Sequence, residues 1–318
     1  MTEPTLPSGY SWRRPRPTDA PTLTELVLVH DAQFLAAPDV TVGQIEALLQ
    51  ERTVDLGSRA WLVLDPAGQI RAAALVYVDT ATDEAEIDIY PHPEVADEVI
   101  AWLLHQGLQA VSRERQASGM RLPVTAGLHQ KDARSIGQVE AAGLRRVRMF
   151  WRMGMPVPEV LPQVVLPDGY RMRRALETSD DLRAFHAATE AGFADHWRSH
   201  SRTYDVWIAD LQGLAGHDPA LWWVVETDSG EFAATMIGGH RMAELDSGFV
   251  YTLATLPLHR GRGLAKALLH RAMHDAAEAG YGQLHLTVDA ANPTGAVRLY
   301  ESVGMQARAA FSIYGDGE

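Results

Sequence analysis

The chain has 318 residues, room for two domains of about 150 residues, and its 46% hydrophobic and 22% charged content is ordinary for a globular protein. A formal net charge of -13, spread over both halves, argues against binding to nucleic acid or anionic membrane, and mildly favours an amine-bearing partner. Without cysteine, disulfides, thiolate nucleophiles and cysteine-bound metals are excluded.

Residues 1–17 are polar and proline-rich, without the apolar core of a signal peptide, and no long apolar run follows. A cytoplasmic chain is expected. In chain order, residues 10–14 read as a short strand, 22–36 as a helix, and 60–64 and 70–78 as strands around the turn Pro66-Ala67-Gly68. A strand at 86–90 follows, closed by Pro93, then a long amphipathic helix at 95–115. A strand, a helix ending before Gly143 and a final strand complete the half.

The second half repeats this order. Its strands fall at 170–174, 221–226, 232–240, 249–255 and 283–288, with helices at 179–191 and 263–279 and another ending before Gly304. Matched stretches recur at nearly constant separation: Gly9-Tyr10 with Gly169-Tyr170, Arg13-Arg14 with Arg173-Arg174, Trp61 with Trp223, and Glu140 to Gly143 with Glu301 to Gly304. Residues 155–167, with Pro156, Pro158, Pro162 and Pro167, lack periodicity and read as a linker. The expected domains are therefore 1–155 and 168–318, joined by 156–167. Two such repeats can pack on each other, which makes a monomer sufficient.

The stretch Thr252-Leu253-Ala254-Thr255-Leu256-Pro257-Leu258-His259-Arg260-Gly261-Arg262-Gly263-Leu264-Ala265 runs from a strand through a glycine-containing turn into a helix. Unpaired N–H groups and the positive end of the helix dipole make such a turn an anion site. By itself the Arg-Gly-Arg-Gly string also fits a solvated turn. Its spacing resembles the Arg/Gln-x-x-Gly-x-Gly/Ala motif of the GNAT superfamily of N-acetyltransferases, at Arg260, Gly263 and Ala265. Downstream, Asn292-Pro293-Thr294-Gly295-Ala296-Val297-Arg298-Leu299-Tyr300 resembles the Asn…Leu-Tyr segment of that family, with Asn292 one residue further from the tyrosine than is usual.

The resemblance implies two tandem α/β (α+β) folds, each a mixed, mostly antiparallel sheet flanked by helices. It also implies acetyl-CoA as co-substrate, without a metal, along Leu253, Ala254 and Thr255 and over Arg260, Gly261, Arg262, Gly263, Leu264 and Ala265. Asn292 would hold the pantetheine arm and Tyr300 would serve as general acid. A two-copy chain of this length is also similar to the mycothiol synthase group, which acetylates an amine on a small thiol. The family's glutamate base is here Phe249, so that acceptor is not carried over, and His196, His240, Asp246 or a water chain are left as proton acceptors.

In the first half the matching turn, Pro91-His92-Pro93-Glu94-Val95-Ala96-Asp97-Glu98, has no glycine or arginine and three carboxylates. The aligned position of Tyr300 holds Val139. Acetyl transfer is therefore expected only in the second copy, to an amine of a small molecule or peptide. Asp195-His196-Trp197, after the second copy's first helix, could line the acceptor pocket, or Asp195 could simply cap the helix end. His270 and His274 share a helix face but have no third ligand nearby in sequence, so a solvated face is the simpler reading than a metal. His285, Trp222 and Trp223 read as structural. A non-catalytic CoA-binding or protein-interaction module is the rival to an enzyme.

Overall fold

The computed structural model describes residues 4–35, 40–50, 53–80, 82–197, 201–213, 216–292 and 294–317. Ala36, at the end of the expected first helix, and Pro293 of the Asn-Pro-Thr-Gly stretch lie outside the described residues. The elements are β1 (Ser11–Arg13), α1 (Ala20–Asp31), α2 (Val42–Leu48), β2 (Ala60–Leu64), β3 (Ile70–Asp79), β4 (Glu84–Pro91), α3 (Asp97–Ser118), β5 (Val124–His129), α4 (Ala133–Ala141) and β6 (Arg145–Pro156). They continue with β7 (Tyr170–Arg174), α5 (Ser179–Phe193), α6 (Tyr204–Gly213), β8 (His217–Thr227), β9 (Phe232–Met242), β10 (Ser247–Thr255), α7 (Leu264–Glu278), β11 (Gln283–Asp289), α8 (Ala296–Ser302) and β12 (Gln306–Gly315). No helix among the described residues is long and apolar enough to cross a membrane.

The chain folds as two compact units, Met1–Phe150 with Ala309–Glu318, and Trp151–Arg308. In the first, β1 to β5 lie in sequence order. Neighbours are antiparallel except the parallel pair β4–β5, and β12 joins antiparallel on the far side of β5. Strand alternation divides the apolar residues between two layers. Trp61, Val63, Ala72, Ala74 and Val76 join Ile100, Leu103 and Leu104 of α3, while Leu62, Ala73 and Leu75 join Leu23, Leu26 and Val27 of α1. Each fully buried aliphatic side chain contributes about 1.5–3 kcal/mol.

The second unit repeats the plan, with β7, β8, β9 and β10 antiparallel, β11 parallel to β10, and β6 beyond it. Val225, Met236 and Val250 pack with Leu268, Leu269 and Met273 of α7, and Trp222, Val224 and Ile237 pack with Phe185 of α5 and Trp207 of α6.

Two boundaries expected from sequence are corrected. Met153 and Met155 are buried in the core of the second unit, whereas β12 pairs Phe311 to Gly315 with His129 to Thr125 in the first. Each unit thus takes its last strand from the chain beyond its own repeat. The proline-rich stretch is no free linker either. Val157, Leu161 and Leu166 pack against the α7 core, and His270 Nδ1 and His274 Nε2 donate hydrogen bonds of 2.9 Å to the carbonyls of Gln163 and Pro162. This also corrects the solvated-face reading of the two histidines, whose one-turn spacing matches adjacent carbonyls on an extended chain.

Candidate active site

The site begins with a disagreement between the two edges of β10. Toward β9, Val250 pairs with Gly238 and Thr252 with Ile237, so Tyr251 is an extra residue, a β-bulge. Toward β11, the parallel ladder covers Ser247–Val250 against Gln283–Leu286, although β10 runs on to Thr255 and β11 to Asp289. The strands part after the bulge. The backbone groups that Leu253 and Thr255 turn away from β9 therefore face a cleft rather than β11, and apart from Thr255 O, which Arg260 meets, must find partners there.

The cleft leads to the start of α7. Gly261 and Gly263 have φ of +75° and +83°, and a Cβ on either would meet nothing within 4 Å. Glycine is required there by conformation, and its backbone lies open to a ligand. α7 has no acidic residue in its first turn, and Gly263 provides no side-chain cap. Arg262 and Lys266 flank it, both exposed and without an ion pair among the described residues. Cations beside the positive end of a helix dipole are unfavourable unless an anion joins them. Lys266 was not singled out from sequence; its signal is a basic residue in a first turn that has no acid. α3, the matching helix of the first unit, supplies its own anions, Asp97 and Glu98.

Arg260, expected at the diphosphate, has partners within the chain. Its guanidinium donates to Thr255 O at 3.2 Å, to Gly192 O at 3.2 Å and to Asp195 Oδ2 at 3.0 Å. It ties the end of α5 to the end of β10. The approach is close because Gly192 lacks a side chain: a Cβ there would lie 2.7 Å from that of Ala254. Asp195 thus reaches across to Arg260 rather than capping the helix end. His196 follows it toward the other strand, where Asn292 Nδ2 donates to its Nε2 at 3.4 Å, and its ring lies 4.4 Å from that of Phe193. Asn292 Oδ1 is occupied by the N–H and hydroxyl of Thr294. Burial holds the His196 pKa below its ordinary 6.5, with Asp289 opposing and Arg260 assisting. Trp197 is half-buried beside it. The fold therefore gathers Asp195 and His196 with Arg260 and Asn292, residues far apart in sequence.

Tyr300, on α8, is buried against the α7 core, and burial alone raises its pKa to about 12. No hydrogen bond to its hydroxyl occurs among the described residues. It keeps its proton at neutral pH.

The other side chains considered from sequence as proton acceptors lie at the opposite end of β10. His240 Nδ1 lies 2.9 Å from Tyr281 Oη, and its Nε2 3.2 Å from Asp218. Asp246 sits in a left-handed turn just before Ser247. Phe249 is buried, with the Tyr251 ring at 5.2 Å and the Arg241 guanidinium at 5.5 Å. His285 Nδ1 lies 2.7 Å from Ser247 Oγ, and Trp223, between the guanidinium groups of Arg174 and Arg271, donates to Asp275 at 2.8 Å.

In the first unit β4 and β5 also part early, pairing only Ala85 and Glu86 with Val124 and Thr125. Its own rings stand at that gap. His30 Nδ1 donates to Pro91 O at 3.1 Å, and Phe34 stacks on His129 at 5.0 Å. Arg134 closes the following turn, donating to Pro93 O at 2.7 Å, to Val95 O and to Asp97 at 2.8 Å, while Arg71 holds Glu94 at 2.6 Å. Two of the three carboxylates in this turn, Glu94 and Asp97, are therefore paired with arginines.

Residues 182–305, which contain the cleft, match the Acetyltransferase (GNAT) family. The mycothiol acetyltransferase of Thermobispora bispora is 35% identical over 51% of this chain, a match spanning about half (55%) of that protein. That of Beutenbergia cavernae is 28% identical over 86% of this chain and 91% of its own length. Among solved structures, a GCN5-related N-acetyltransferase from Sphaerobacter thermophilus superposes with a TM-score of 0.84 at 26% identity, covering 98% of this chain and 96% of that one. A tandem GNAT protein from the clavulanic acid biosynthesis pathway shares the fold, with a TM-score of 0.72 at 13% identity over 97% and 99% of the two chains.

Proposed function

We propose that this chain, an acyltransferase carrying a GNAT acetyltransferase domain at residues 182–305, transfers the acetyl group of acetyl-CoA directly to an amine of a small-molecule acceptor. The observation that carries this reading is the start of α7, a helix terminus with open glycine backbone, no acid in its first turn and two cations without an ion pair among the described residues. It needs an anion, and the cleft edge beside it needs hydrogen-bonding partners. A diphosphate joined to an amide-bearing arm meets both needs.

When bound, acetyl-CoA supplies an activated thioester carbonyl. The N–H groups of Arg262, Gly263, Leu264 and Ala265, with the charges of Arg260, Arg262 and Lys266, hold the diphosphate. Leu253, Ala254 and Thr255 align the arm, and a backbone N–H near Leu253 faces the carbonyl oxygen, where charge develops. Tyr300, protonated at neutral pH, donates its proton or a hydrogen bond to the departing sulfur. His196, neutral at pH 7, is the proton acceptor best placed beside Asn292. The mycothiol acetyltransferases among the relatives make small-molecule amines the first acceptors to test. The first unit, with its gap and turn occupied by its own side chains, is assigned no acetyl-CoA chemistry.

Thioester consumption measured against a panel of small amines tests the reading, with product mass checked for one added acetyl group. Binding of CoA without turnover on any amine would favour a binding module instead.

A further inference from the structure

We propose that Asp195 and His196 form a latch across the mouth of the cleft, and that acetyl-CoA opens it by taking over both anchors. This deepens the function proposed above and rests on it. The mouth has two lips, the end of β10 with Arg260 and the loop after β11 with Asn292. Asp195 grips the first at 3.0 Å and His196 the second at 3.4 Å.

Both grips are weak by design of their surroundings. The Asp195 side chain is 59% exposed, and exposed ion pairs contribute little. The contact to His196 is long for a hydrogen bond. A diphosphate carries more charge than one carboxylate and can meet a guanidinium with two oxygens, so it outcompetes Asp195. An amide carbonyl of the pantetheine arm can likewise replace His196 as acceptor for Asn292 Nδ2. Arg260 stays in place through this exchange, because its bonds to Thr255 O and Gly192 O do not involve Asp195. His196 Nε2 is released at the cleft edge, free to take a proton from the acceptor. The imidazole thus becomes available only once the co-substrate is seated.

The test is calorimetric titration of CoA into the full chain and into Asp195→Asn, which keeps the side chain's size and removes its charge. Removing a competitor should tighten binding, lowering Kd by about twofold to fivefold. Amide hydrogen exchange at residues 193–197 should quicken when CoA saturates the unsubstituted chain. An unchanged or raised Kd for Asp195→Asn, or exchange that slows on binding, overturns the latch and makes the ion pair a scaffold. A chain that binds no CoA before substitution takes down the acetyl-CoA reading, and the latch with it.

Discussion

Arg13 and Asp19 are joined by two hydrogen bonds of 2.7 Å, and Arg173 and Asp181 repeat the arrangement at 3.1 and 2.7 Å in the second unit. The arginine hydrogen bond, opposed by burial and helped by the Arg16 N–H, holds the Asp19 carboxyl below its ordinary 3.8. A carboxyl with a depressed folded pKa adds stability that is complete above its unfolded value and is lost as pH falls through the folded one. Asp19→Asn should therefore cost about 1 kcal/mol at pH 7. The difference should shrink toward zero in denaturant titrations below pH 3.8.

Gly263→Glu should abolish CoA binding in a calorimetric titration, and Gly263→Ala should weaken it. The φ of +83° makes any side chain at this position strained, by about 1 kcal/mol for Ala. Glutamate adds a carboxylate where the diphosphate is expected. Binding that survives both changes would place the anion elsewhere.

Tyr300→Phe should lower kcat by about two orders of magnitude and leave acetyl-CoA affinity within about twofold, because the hydroxyl acts on the leaving sulfur. With its pKa at about 12, the phenol should impose no loss of rate between pH 7 and about pH 10. Turnover within about twofold of the unsubstituted chain would make Tyr300 a packing residue.

His196→Ala should raise the acceptor KM or lower kcat without weakening CoA binding. The imidazole must be neutral to accept a proton, so kcat/KM rises with pH through its pKa and then levels. Burial sets that pKa below 6.5, so the acid limb should have its midpoint below pH 6.5 and be lost in the variant.

Much of this was legible in sequence because it is local. Ala60–Leu64 forms the strand expected before the turn Pro66-Ala67-Gly68, and Gly261 and Gly263 form the turn their spacing predicts. The matched Arg14 and Arg174 lie over Trp61 and Trp223, ring contacts kept in both copies. What stayed hidden depends on distant partners. Nothing near Arg260 signals that its guanidinium meets Gly192 and Asp195, since that contact exists only once α5 packs on β10. α2 and α6 were not delimited, and residues 145–156 read as strand and linker because local pattern does not say which sheet a strand will join.

The placement of Ala309–Gly315 beside β5 sets a timetable for synthesis. The ribosome makes about 5–20 residues per second, and N-terminal domains ordinarily close while the rest is still being made. Here the first unit cannot. The flank of β5 that β12 covers stays open until nearly all of the second unit has emerged, an interval of about 10–30 seconds at those rates. During that time it presents unpaired backbone to any passing strand. The nascent chain is thus most vulnerable to aggregation before its final strand appears, and a truncation within residues 309–315 would injure the half of the protein made first.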